Sequence, residues 1–102
     1  MVNSRQKGNR AEEAAVQVLV SEGYLVWRPS APRHFKKNSG ADIFGVFDLV
    51  ACQAGLPTRW IQVRQEAAFR KKTIAAIQAV PVQGVREYWL RLPDGSWKTK
   101  II

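Results

Sequence analysis

Cysteine and histidine are almost missing from this chain. The one cysteine, Cys52, excludes an intramolecular disulfide and a cysteine metal cluster. A chain without disulfides suits a reducing, cytoplasmic setting, and Cys52 itself reads as a buried strand residue. The one histidine, His34, cannot build a metal site alone. Long apolar runs are missing too, and none reaches the length that spans a bilayer. Met1–Arg10 is polar and leads straight into a helix, so no signal peptide is expected. No strongly basic helix carries bulky apolar residues opposite its charge, which makes a membrane surface the wrong partner. Internal repeats and low-complexity tracts are absent from the sequence. Acid is scarce: 8 Asp and Glu stand against 16 Lys and Arg, a net charge of +8. An excess of that size in so small a chain points to a polyanion partner, nucleic acid before others.

What is present suffices for one folded domain over residues 1–102, with 46% hydrophobic residues and room for one modest core. Ala11, Ala14, Ala15, Val18 and Leu19 recur at helical spacing and predict a helix from about Gly8 to Glu22, with Ser4 as a candidate cap. Glu12 falls at the edge of that stripe and Glu13 further towards solvent. Gly23 suits the residue just past a helix. Tyr24–Arg28 reads as a short strand stopped by Pro29 and Pro32. Ser30–Gly40 is a polar, basic loop long enough to be functional. A second helix, about Glu66 to Val80, shows the inner stripe Phe69, Thr73, Ala76, Ile77 and Val80, with Arg70, Lys71 and Lys72 beside it. Val85–Leu92 and Trp97–Ile102 then flank the hairpin turn Pro93-Asp94-Gly95-Ser96. The order is αβββαββ, an α/β fold with a mixed sheet flanked by helices. Tyr88, Trp89 and Trp97 are expected in the core or in a dimer interface along an apolar C-terminal hairpin edge.

The centre of the chain carries the chemistry. Two strands, Phe47–Cys52 and Arg59–Arg64, are joined by a turn with Gly55 and Pro57. Alternation puts Phe47, Leu49 and Ala51 on one face and Asp48 with Val50 on the other. Ile61 and Val63 share a face; Trp60, Gln62 and Arg64 share the opposite one. If the strands pair, a carboxylate, an amide and a guanidinium project together, groups that a core strand has little use for. Cutting a phosphodiester needs a metal ion to activate a nucleophile and offset developing charge. Hard cations such as Mg²⁺ take oxygen ligands from a few carboxylates or carbonyls. Asp48 is the leading ligand, Gln62 offers a neutral oxygen, Glu12 a second carboxylate, and Arg64 a fixed positive charge. Asp42 reads as a turn residue after Gly40 in preference to a substitute ligand. Trp60 could shield this site or stack on DNA.

These segments resemble a known family. KGNRAEE (Lys7–Glu13), GYLVWRPS (Gly23–Ser30), FDLVA (Phe47–Ala51) and IQVR (Ile61–Arg64) are similar, in order and spacing, to motifs of the archaeal-type Holliday junction resolvases of the PD-(D/E)xK nuclease superfamily. The resemblance runs from Lys7 to the middle of the second helix. It implies a restriction-endonuclease-like fold and a symmetric homodimer that nicks four-way DNA junctions in pairs with Mg²⁺ or Mn²⁺. By the same resemblance Glu12, Asp48, Gln62 and Arg64 are the catalytic set. Asp48, Gln62, Glu12 and the Val63 carbonyl are the metal ligands it implies. DNA contact falls to Lys7, Arg10, Arg28, Ser30, Arg33, Lys36 and Lys37.

The chain departs from the family pattern at three positions. Gln62 stands for a glutamate, which lowers the negative charge of the site. Arg64 stands for a lysine; it can bond a phosphate through paired N–H groups but stays charged and cannot be a general base. Glu13 stands where the family often has arginine, with Arg10 one turn earlier on the same side. Three further readings therefore share the basic surface: a nuclease of the same superfamily for other branched or linear DNA, a non-catalytic DNA-binding module, and an RNA-associated basic protein. The last explains the charge but not Asp48 and its neighbours.

Overall fold

In a computed structural model of the chain, residues 4–29 and 42–102 are described, with first-helix side chains from residue 10 onward. Among them the elements are α1 (Ser4–Ser21), β1 (Leu25–Trp27), β2 (Leu49–Cys52), β3 (Arg59–Arg64), α2 (Lys71–Gln78), β4 (Val85–Arg91) and β5 (Trp97–Ile101). They form one five-stranded sheet in the order β1-β2-β3-β4-β5. Every pairing is antiparallel except β3 with β4, which is parallel. A parallel pair needs a crossover, and α2 supplies it. The fold is α/β with a mixed sheet and two helices. No helix among the described residues is long and apolar enough to cross a membrane.

The two faces of the sheet carry separate cores. Ala11, Ala15 and Leu19 line one side of α1 and pack on Leu49, Ala51, Ile61, Val63 and Trp89. Alanine at two of those turns lets the helix lie close to the strands. The chain leaves α1 through a paired cap: the Gly23 amide bonds the Val20 carbonyl and the Tyr24 amide bonds the Leu19 carbonyl. That cap requires the left-handed backbone at Gly23, φ 92°. On the other face Ile77 of α2 joins Phe47, Tyr88 and Leu90, with Trp60, Phe69 and Ile74 packed against them. Gly84, φ 113°, is fixed by contact: a Cβ there would fall inside the Thr58 carbonyl oxygen, to which the next amide, Val85, bonds at 2.8 Å.

Several sequence expectations are corrected. The first central strand begins at Leu49, two residues late, because Phe44 (φ 55°) and Gly45 (φ 71°) fold residues Ile43–Phe47 back on themselves. The alternation breaks there, and Phe47 packs in the α2 core while Leu49 and Ala51 pack under α1. The second helix starts at Lys71, not Glu66. The Phe69 ring turns onto Tyr88 at 4.9 Å just before it, and Ile74 replaces the exposed Ala76 in the inner stripe. Cys52 is exposed; it ends β2 opposite Leu25 of the edge strand, where no helix covers it. Tyr88 and Trp89 are core residues and Trp97 stacks edge-on against Trp89 at 5.2 Å. The C-terminal hairpin edge is not apolar: Lys98, Thr99, Lys100 and Ile101 of β5 are exposed. Lysines on an edge strand discourage strand-to-strand pairing. The exposed apolar edge is β1, through Leu25 and Trp27.

Candidate active site

The site grows from a mismatch in strand length. β2 stops at Leu49, opposite Ile61, while β3 runs on to Arg64. Residues Ile61 and Val63 therefore turn their backbone groups to the same side, but only Ile61 meets the preceding segment, its carbonyl accepting the Asp48 amide at 2.9 Å. The Val63 amide is left without a strand partner, and Asp48 Oδ2 accepts it at 2.7 Å. An aspartate side chain thus stands where another strand residue would be.

Asp48 is only 8% exposed. Burial pushes its carboxyl up to about 8. The Val63 N–H opposes this, the charges of Glu12 and Asp42 raise it further, and Arg64 pulls it down. The charges that raise the Asp48 carboxyl thus come from separate segments, Glu12 of α1 and Asp42 before the Ile43–Phe47 turn. Glu12 is 22% exposed, at the rim of the helix stripe, and its Oε1 accepts the Arg28 Nε at 2.9 Å. Arg28 also reaches Glu13, more exposed, at 3.8 Å.

Gln62 and Arg64 form the other half. Gln62 is buried, and its carboxamide is satisfied in one orientation. Its nitrogen then donates to the Val46 carbonyl, and its oxygen accepts from Arg64 Nε (2.6 Å) and Nη2 (2.9 Å). The Gln62 oxygen is therefore held by a guanidinium, and ligation of a cation by it requires that contact to open. Val63 is buried beside it and offers its amide to Asp48. Trp60 is half-buried, its Nε1 donating to the Gln83 carbonyl at 2.7 Å and its ring tilted against Phe44 and Phe47; it packs as a core residue.

No protein-family model matches the chain, and no curated protein matches it. The site must be judged on its own groups. Among the described residues no three His, Cys, Asp or Glu side chains are grouped closely enough to hold a metal ion by themselves. Mg²⁺ needs fewer, since one or two carboxylates with water commonly suffice. The candidate donors, Asp48, Glu12, Gln62 and the Val63 carbonyl, are all hard oxygen, and the bond from the Val63 amide engages only one of the two oxygens of the buried Asp48 carboxyl. The donors fit a divalent cation on that ground.

The other predicted residues divide into two groups. Arg10 is exposed and Arg28 is committed to Glu12. Ser30, Arg33, His34, Lys36, Lys37 and the Lys7 side chain lie outside the described residues. Asp42, read as a turn residue in preference to a substitute ligand, precedes the folded-back Ile43–Phe47 segment and adds its charge at Asp48. A buried ion pair was missed altogether. Arg59 Nε and Nη2 clasp Glu87 at 2.6 and 2.8 Å, and Trp89 Nε1 adds a third bond at 2.9 Å. Its sequence signal is a lone glutamate inside the apolar strand Val85–Arg91, paired across the sheet to Ile61.

Proposed function

We propose that this chain is a metal-dependent, structure-selective endonuclease that nicks branched DNA, with the four-way (Holliday) junction as its substrate. The observation that carries the reading is the buried Asp48 carboxyl at the open end of β3, held by the Val63 amide, with the Gln62–Arg64 pair on the same strand. The αβββαββ order with one parallel joint supports a restriction-endonuclease-like core. The resemblance of Lys7–Glu13, Phe47–Ala51 and Ile61–Arg64 to archaeal-type junction resolvases supports the substrate. The +8 charge supports binding by phosphate contact and shape, not base sequence.

Asp48 would hold Mg²⁺ or Mn²⁺ with water and with Glu12 directly or through water, Gln62 and the Val63 carbonyl offering further oxygens. The cation, when bound, supplies Lewis acidity and a water of lowered pKa. Arg28 orients the Glu12 carboxylate through their ion pair. The Val63 amide fixes one Asp48 oxygen and leaves the other to the site. Arg64 stays charged and bonds the equatorial oxygens of the phosphate, where charge builds in the transition state. It cannot remove a proton. Two such sites in a homodimer would give paired nicks, in a reducing cytoplasm that suits the free Cys52.

The test is a gel assay on a synthetic four-way junction beside a linear duplex of the same arms, with Mg²⁺, Mn²⁺ or EDTA. Metal-dependent paired cuts in the junction are expected. Equal cutting of the duplex would assign another substrate within the same chemistry. One observation favours a second reading, a non-catalytic DNA-binding module: the Gln62 oxygen is occupied by Arg64. Tight junction binding with no cutting under either metal would establish it. Sedimentation equilibrium at micromolar concentration should give a dimer, and monomer alone would refute the two-site arrangement.

A further inference from the structure

Most arginines with described side chains have a fixed oxygen partner. Arg28 lies on Glu12, Arg59 on Glu87 and Arg70 on Glu66. Arg64 lies on Gln62, and Arg86 on the Gln78 and Val80 carbonyls. Arg10 and Arg91 have no such partner among the described residues, and the two line the same cleft. Its volume is about 300 Å³, with Gln65, Leu92 and Pro93 among its walls.

The placement gives the cleft a direction. Gln65 follows the last residue of β3 and Arg91 is the last of β4, so the cleft opens at the carboxyl ends of the parallel pair. Ligands of open α/β sheets commonly bind at that end. Ala11 and Gln65, both in its wall, are the chain neighbours of Glu12 and Arg64. Arg91 is held there: its guanidinium stacks on Trp97 at 5.0 Å and lies against Gly95, where a Cβ would come within 3.4 Å of Nη2. Asp94, in the same turn, spends its carboxylate on the Ser96 amide and hydroxyl. Asp94 also feels the charge of Arg91, so the cleft holds two guanidinium groups against one nearby carboxylate that is already bonded to Ser96; the surplus positive charge is one that an anion relieves. Guanidinium forks suit phosphate oxygens.

We propose that this cleft seats a phosphate of the bound DNA strand other than the one that is cut, held by Arg10 and Arg91. This rests on the endonuclease reading for the identity of the polyanion. The experiment is fluorescence anisotropy of a labelled four-way junction and a labelled linear duplex in EDTA, so that cleavage plays no part, across a salt series. Arg10→Gln and Arg91→Gln should each weaken binding to both DNAs alike and lower the slope of log K against log salt by about one. Arg91→Lys should restore the slope. Melting followed by circular dichroism checks that each variant is folded; Arg10 is exposed, so its variant carries the test if loss of the Trp97 stack unfolds the other. Unchanged slopes in folded variants, with a wild type that binds, would overturn the phosphate seat and leave the endonuclease reading standing. A wild type that binds neither DNA would overturn both.

Discussion

Two carboxylates are buried on this small sheet, and they are treated in opposite ways. Glu87, 5% exposed, has both oxygens engaged by Arg59 and takes a further bond from the Trp89 indole. Asp48, 8% exposed, has one backbone N–H and the more distant Arg64 charge on its side, against burial and two more carboxylates. Burial is equal; compensation is not. A charge that the fold needs is matched by the fold, as Glu87 is, with Arg59 also stacked near Tyr24. A charge left unmatched at a strand end is an arrangement that waits for a proton or a cation, and perturbed groups of that kind collect at functional sites.

The comparison can be broken most forcefully at Glu87. Arg59→Ala leaves that carboxylate buried and unpaired, and should cost about 3 kcal/mol or more in urea unfolding. A loss under about 0.5 kcal/mol, the range of an ordinary surface change, would mean that Glu87 is no better matched than Asp48. Acid–base behaviour gives the next largest effect. The Asp48 pKa is raised from 3.8 to about 8 on folding, so the folded state binds the extra proton. Stability from this group is full below pH 4 and is lost as pH rises through about 8. Thermal melts without divalent metal should therefore fall between those limits, and Asp48→Asn should flatten that part of the profile. An unchanged profile in the variant would remove Asp48 as its source.

Metal should act on Asp48 and not on Glu87. Mg²⁺ at ten times its Kd stabilises a protein that binds it only when folded by about 1.4 kcal/mol. At pH 8 the wild type should gain that much, and Asp48→Asn nothing. The same variant should keep junction binding and lose cleavage; loss of both in a folded protein would argue against the catalytic role. The smallest change expected is that of Gln62→Glu. It adds a carboxylate beside Arg64 and should tighten Mg²⁺ binding severalfold by calorimetry, unless the new charge is absorbed by the guanidinium that now holds Gln62.

Much of this was open to reading in the chain, and the exceptions have physical reasons. The bounds of β3, the exit of α1 at Gly23 and the placing of Glu12 at the helix rim followed from periodicity and from glycine. Asp48 stood out because a carboxylate among strand residues needs a partner. What failed was local geometry that tertiary contacts decide. Nothing in Phe44 announces a left-handed backbone, yet that turn moved the start of β2, sent Phe47 to the opposite core and brought Asp42 into play. The Arg59–Glu87 pair joins residues that are adjacent only after β3 and β4 align, so no local pattern could reveal it.

That alignment also sets an order of events. β2–β3 and β4–β5 are hairpins whose strands find each other through short turns, whereas β3 and β4 meet only after the stretch from Arg64 to Val85, with α2 inside it, has closed. In terms of contact order, the two hairpins are the local part of the fold and the β3–β4 seam the non-local part, the kind of pairing that forms slowly. The Asp48–Val63 bond belongs to the first half, while the cleft of Arg10 and Arg91 exists only once the seam is shut. A folding intermediate with the first half formed would already hold the Asp48 end of the candidate site before that cleft exists.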